Sequence, residues 1–177
     1  MTKIRFTILL LLLFAPLAFS EDAAPPSKPP FELANASPSA DDLVSRYVAA
    51  LRNDDNDALQ SLRVTEREYR EIIAPGTVAP GRPPRQTREE VMTFFWSMLN
   101  SKSNDLSREL LKAYGGKKFE VVKVDFIRGD KEYAWYRAVG EPRIRVRNDE
   151  GKEAVVPGGY IAEVAGRYKF IGLNWED

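Results

Sequence analysis

Residues 118–175 read KFEVVKVDFIRGDKEYAWYRAVGEPRIRVRNDEGKEAVVPGGYIAEVAGRYKFIGLNW, and the rhythm of that stretch decides the fold. Apolar and polar residues alternating with period two between turn residues mark strands. Glu120 to Phe126 sets Val122, Val124 and Phe126 on one side and Lys123 and Asp125 on the other. Arg128-Gly129-Asp130-Lys131 is then a hairpin turn, with Gly129 free to take a positive φ. A second strand, Glu132 to Val139, carries Tyr133, Trp135, Arg137 and Val139 on one side and Ala134, Tyr136 and Ala138 on the other. Gly140-Glu141-Pro142 breaks it. Arg143 to Arg147 follows, with Ile144 and Val146 alternating against three arginines, and Asn148 to Gly151 turns the chain again. Tyr160 to Val164 and Tyr168 to Trp175 close as a pair through Ala165-Gly166-Arg167. The expectation is one bent antiparallel sheet of about four to six strands.

Upstream the period changes to helical. Ser39 with Asp42 forms a capping signal, and Leu43, Val44, Tyr47, Val48 and Leu51 then share one face of about three turns. Asn53 to Asp57 stops that helix. Its acids lack the glycine and distal glutamate of a calcium loop, so they read as a turn that caps the next helix. Thr65-Glu66-Arg67-Glu68 is a capping box with Val64 and Tyr69 at the staple positions; its short helix runs through Ile73 and ends before Pro75-Gly76. Thr77 to Gln86, with three prolines, is a loop. Thr87-Arg88-Glu89-Glu90 opens the longest helix, whose core face is expected to hold Val91, Phe94, Phe95, Met98 and Leu99, then Leu106, Leu110, Leu111 and Tyr114. Ser101 to Asp105 is a place for a kink or a split, and Gly115-Gly116 ends the helix. Helices followed by a run of antiparallel strands define an α+β domain with helices on one face of the sheet.

With 177 residues, 44% hydrophobic and 11% aromatic, the chain suits one globular domain. Lys3 and Arg5 before the apolar run Phe6 to Phe14, then Ala18-Phe19-Ser20, read as a secretory signal over residues 1–20. The run, interrupted by Pro16, is short for a membrane span, so no membrane role is expected after cleavage and the mature chain is expected to be secreted or periplasmic. Residues 21–38, rich in proline and alanine, read as a tether, leaving residues 39–177 as the domain. The whole chain balances 26 basic against 26 acidic residues; losing Lys3 and Arg5 leaves 24 against 26, a net charge near −2. Nucleic acid is therefore a poor partner. Histidine and cysteine are both absent, which removes disulfides, thiol chemistry and the commonest transition-metal ligands. No metal or other cofactor is expected.

The opening amphipathic helix, the capped Thr65-Glu66-Arg67-Glu68-Tyr69 helix, the long helix from Arg88 and the strands ending Tyr168-Lys169-Phe170-Ile171-Gly172-Leu173-Asn174-Trp175 together resemble the nuclear transport factor 2-like (cystatin-like) superfamily, in particular its small secreted bacterial members. The resemblance spans residues 39–177 and is one of topology, without a signature motif. It implies a cone, in which the sheet curls around the long helix and leaves a pocket. Enzymes of that superfamily, such as ketosteroid isomerases, polyketide cyclases and scytalone dehydratases, place acid/base groups in the pocket. Other members only bind ligands or pair through the outer sheet face.

No catalytic motif carries over residue by residue. By type, Glu163 between Ala162 and Val164 is the carboxylate for proton abstraction, with Tyr47 or Tyr69 as the oxyanion partner. Equally, Glu163 pairs with an arginine of the neighbouring strand, and the tyrosines pack in the core. Tyr133, Trp135, Tyr136 and Arg137 form the densest aromatic cluster, suited to a small apolar ligand with Arg137 on an anionic group, or to core and homodimer surface. Trp96 belongs with the residues that line or fill the pocket. Arg143, Arg145 and Arg147 read as a charged edge or surface strand. The expected function is a non-catalytic binding or interaction module, with an isomerase, cyclase or dehydratase as the alternative.

Overall fold

The computed structural model describes residues 28–173; the expected signal segment and residues 21–27 of the expected tether lie outside the described residues. Four helices precede six strands. α1 (Ala40–Arg52) starts where the Ser39 hydroxyl accepts the Asp42 N–H, and α2 (Asn56–Ser61) where the Asp55 carboxylate accepts the Ala58 N–H. The acidic turn is thus a cap, as its composition predicts.

α3 begins at the Thr65 capping box and passes through three segments: Glu66–Glu68 is α-helical, Tyr69–Ile73 widens into a π-turn, and Ala74–Gly76 returns to α. It therefore continues through Pro75 rather than ending before it. Proline has no N–H to give a carbonyl one turn back, and the wider turn absorbs that mismatch, with the Ala74 N–H reaching the Tyr69 carbonyl.

α4 (Glu89–Tyr114) is one continuous helix of 26 residues, neither kinked apart nor split at Ser101–Asp105. The expected Thr87 capping box is not formed; Arg88 occupies the cap position without a side-chain bond. Its buried side is Met92, Ser103, Leu106, Ser107 and Leu110, whereas Phe94, Phe95 and Met98 are exposed. The expected core face of its first half is therefore rotated out. Serines were the missing signal. Ser103 Oγ donates to the Leu99 carbonyl and accepts the Leu173 N–H at 3.0 Å, so this small polar residue lets the Gly172–Leu173 segment pack against the helix, while Ser107 accepts the Gln60 amide of α2. A Cβ on Gly172 would stand 2.4 Å from Leu99 Cδ1, which shows how close that approach is.

The strands are β1 (Phe119–Ile127), β2 (Lys131–Glu132), β3 (Arg137–Asn148), β4 (Glu153–Pro157), β5 (Ile161–Val164) and β6 (Arg167–Phe170). They form one antiparallel six-stranded sheet in the order β1-β3-β5-β6, with β2 and β4 also paired to β3. The expected strand Glu132 to Val139 is instead a bend over Tyr133–Tyr136. Conversely, Gly140-Glu141-Pro142 is no break: β3 runs through it with a bulge at Gly140, whose φ is 107°. Before the bulge β3 pairs with β2 and β5; after it, with β1 and β4. β4 had no counterpart in the reading of the sequence. A second bulge, at Val122, shifts the register of β1 and leaves Val122 and Phe126 exposed.

Helices cover both sides of β5, not one. Ile161 joins a core formed by Leu43, Tyr47 and Leu51 of α1 with Leu106 and Leu110 of α4. The alternate residues Ala162 and Val164 join a second core with Ile72 and Ile73 of α3. That second core includes Leu33, and Ser37 exchanges backbone hydrogen bonds with Tyr168. The Phe31 to Ser37 part of the expected tether is thus built into the fold. Together with Val64, whose N–H reaches Phe170 O, it closes the free edge of β6. β3 is a central strand, and its Arg143 and Arg145 are exposed on the outward face beside Arg147, which bridges Glu120 and Glu153.

Candidate functional site

The main candidate is a half-open cleft of about 450 Å³ between the first half of α4 and the sheet. Its floor is apolar and aromatic. Met98 and Leu99 come from α4, Ile171 to Leu173 from the chain end, and Tyr133 and Tyr136 from the bend before β3. The bend is fixed by backbone bonds: the Tyr133 N–H reaches the Tyr136 carbonyl, and the Ala134 N–H reaches those of Gly76 and Val78 at the end of α3. The two tyrosine rings stack with centroids 4.7 Å apart. Tyr136 shares a 2.9 Å hydrogen bond with the Thr77 hydroxyl, and burial pushes its phenol up to about 12, leaving it a neutral packing group at ordinary pH.

The charged side chains lining the cleft are cationic, although one of them, Arg128, is paired with Glu141. Lys102, Arg128 and Lys131 line it, and no acid does among its described lining residues. The expected hairpin at Arg128–Lys131 is not formed: β1 and β2 each pair with β3 and not with each other, so Arg128–Asp130 interrupts that edge and the chain reverses at Tyr133–Tyr136 instead, with Arg128 and Gly129 both at positive φ, 68° and 59°. That geometry brings its guanidinium 3.1 Å from Glu141 and 3.4 Å from the Tyr160 hydroxyl. Lys131 lies 5.0 Å over the Tyr133 ring.

The residues singled out from sequence divide among four places. Tyr133 and Tyr136 enter the cleft. Both also line a second, shallow depression together with Trp135, Arg137 and Glu163, so the expected cluster does assemble there; Arg137 Nε binds Glu163 at 2.7 Å and a second nitrogen binds Asp130. Its bond to Glu163 holds the guanidinium charged, its pKa raised further above the usual arginine value. Arg137 is thus engaged by two carboxylates, and the pairing alternative for Glu163 is the one the structure forms. Tyr69 and Trp96 pack together at 5.5 Å, joining α3 to α4. Tyr47 is fully buried in the α1 core, donates to the Pro157 carbonyl at 2.7 Å and has its phenol pushed far up by burial. It is a core residue, remote from the cleft lining. Lys102, Arg128, Lys131, Met98, Leu99 and Tyr160 were not anticipated. Lys102 stands one helical turn beyond Met98 on α4, whereas Arg128 and Lys131 come from the β1–β2 connection and Tyr160 from the approach to β5.

Among the described residues, no group of three or more acids stands where it could hold a metal ion, and no helix is long and apolar enough to cross a membrane. The class defined by the structure is an α+β domain with a cation-rimmed aromatic cleft between its longest helix and an antiparallel sheet. Compared with known proteins, the chain matches no family model, no curated protein and no solved structure.

Proposed function

We propose that this chain is a secreted or periplasmic, non-catalytic binding module of the nuclear transport factor 2-like type, holding a small apolar ligand with an anionic group in the cleft. The observation that carries the reading is the cleft itself: about 450 Å³ of aromatic and aliphatic lining with Lys102 and Lys131 beside it, and Arg128 paired to Glu141. Such a site offers apolar burial for a body and fixed positive charge for a carboxylate, sulfonate or phosphate. The long β3 with its bend at Gly140, and the helix crossing the cleft, support the family reading. The isomerase reading stands second. It needs an unpaired inward carboxylate beside a tyrosine, whereas the acids nearest the aromatic residues, Glu141 and Glu163, are each bound to an arginine.

Titration with anilinonaphthalene sulfonate, followed by displacement with decanoate and with decanol, tests this. Saturable binding displaced by decanoate but not decanol is expected. Lys102→Glu with Lys131→Glu should weaken it by roughly tenfold, the loss of about one charge interaction of partly exposed groups. No saturable binding, or equal displacement by the alcohol, refutes the reading.

A further inference from the structure

We propose that the outward face of α4, with the arginines of the loop before it, is a docking surface for an anionic lipid bilayer. Val91, Phe94, Phe95 and Met98 follow the spacing i, i+3, i+4, i+7 and form one stripe on the helix. Phe94 is 63% exposed, Phe95 46% and Met98 41%, and the two phenyl rings are 5.6 Å apart. The stripe points away from the Met92, Leu106 and Leu110 line that holds the helix to the core. Adjacent exposed apolar side chains grouped on one stripe are the kind of patch that marks an interaction surface.

Charge identifies the occupant. Arg88 lies three residues before Val91 and Lys102 four residues after Met98, so each end of the stripe carries a cation on the same face. The preceding loop adds Arg82 and Arg85, and from Ile72 to Arg88 the sequence contains no acid. Arg82, Arg85 and Arg88 are exposed and form no ion pair among the described residues. Glu89 is turned aside to Arg70 at 2.6 Å, which leaves Glu90 as the acid on the flank of the patch. Exposed rings flanked by unpaired arginines fit a membrane interface, the rings entering the headgroup boundary while the guanidinium groups hold lipid phosphates.

A second copy fits worse. A two-fold axis through the middle of the stripe would set Arg88 of one copy against Lys102 of the other, like charge on like. This inference stands apart from the cleft reading, although Met98 and Lys102 belong to both surfaces. It departs from the expectation that the mature chain has no membrane contact.

The test uses the chain from Glu21, which keeps every described residue and removes the apolar leader that would bind vesicles by itself. It is sedimented with vesicles of phosphatidylglycerol mixed with phosphatidylcholine, and with phosphatidylcholine alone, at low and high salt. Binding to the anionic vesicles only, weakened by salt, is expected. Phe94→Ser with Phe95→Ser should abolish it. Each of Arg82→Ser, Arg85→Ser and Arg88→Ser should weaken it by roughly fivefold. All five positions are exposed, and an unchanged thermal melt shows that the fold is intact. The proposal is overturned by absence of binding at low salt, by equal binding to both vesicle types, or by a dimer in solution that the Phe94→Ser, Phe95→Ser variant dissociates.

Discussion

Glu68→Gln tests the buried charge pair beneath α3. The Glu68 carboxylate and the Lys169 ammonium are 2.9 Å apart, with side chains 3% and 2% exposed. The carboxylate also accepts the Thr65 and Ala34 backbone N–H groups, each at 2.7 Å, so it joins the cap of α3, the Phe31–Ser37 segment and β6. Glutamine keeps the shape but leaves Lys169 buried without a counter-charge. Removing one partner of such a pair costs about 3–5 kcal/mol, set against a total stability of about 5–15 kcal/mol. At roughly 2–4 °C per kcal/mol for a domain of this size, the melting midpoint should fall by about 10 °C. Guanidinium unfolding followed by circular dichroism measures the change. Glu71→Gln is the control, because its pair with Arg67 is exposed and worth only about 0.5 kcal/mol. The pH dependence supplies a second reading. Burial alone would raise the Glu68 carboxyl, but the Thr65 backbone bond and then Lys169 outweigh it and hold it below the usual range. A depressed carboxyl contributes stability above its unfolded pKa, about 4.3, and that contribution is lost as pH falls through the folded value. The parent should therefore lose stability in acid more steeply than Glu68→Gln. If the Glu68 and Glu71 variants unfold within about 0.5 kcal/mol of each other, the pair does not anchor α3 and the reasoning fails.

Gly140→Ala should destabilise by more than about 1 kcal/mol, because its φ is 107° and a Cβ there would meet the Ile127 carbonyl oxygen at 2.7 Å. Gly151→Ala, at positive φ but with open space around it, should lose less; equal melting points would refute the bulge as a packing constraint. Tyr136→Phe should cost about 1 kcal/mol through the lost Thr77 bond, read by the same unfolding assay. In alkali, the raised phenol pKa values of Tyr136 and Tyr47 mean stability that is complete below about pH 10 and is lost as pH rises through the folded values. Ultraviolet titration should then show these two phenols ionising after the exposed ones; ionisation in step with them, on an intact fold, would contradict the burial argument.

The elements legible in the sequence were those whose signals are local. Ser39, Asp55 and Thr65 cap helices because a short polar side chain meets backbone N–H groups two or three residues on, and nothing distant intervenes. Ala165-Gly166 turns β5 into β6 because two consecutive positive φ values suit those positions, whereas Arg128-Gly129 has the same signature and only interrupts the edge paired to β3. What was not legible depended on partners far along the chain. Period-two alternation placed Tyr133 and Trp135 in a strand, yet the end of α3 takes the Ala134 N–H and bends the segment out of the sheet. The same bend lets Tyr133 and Tyr136 reach the cleft while they still border Arg137 and Glu163, which face each other across β3 and β5. The cations of the cleft come from a helix and the β1–β2 connection more than twenty residues apart, so no spacing rule joins them.

α4 shows most plainly why periodicity alone misassigns a face. Its sequence contains two apolar stripes offset by about a third of a turn: one through Met92, Leu106 and Leu110, the other through Val91, Phe94, Phe95 and Met98. Hydrophobicity favours the second, which has the larger side chains. Packing selects the first, because Ser103 on it permits the backbone of Gly172 and Leu173 to approach the helix and Ser107 on it accepts the Gln60 amide of α2, contacts that leucines at those positions would block. Once the small residues fix the rotation, the phenylalanines are carried outward as a consequence. A sequence that retains Phe94 and Phe95 on the solvent side of a helix so fixed has a reason to keep them there, and the arginines beside them indicate a surface of opposite charge.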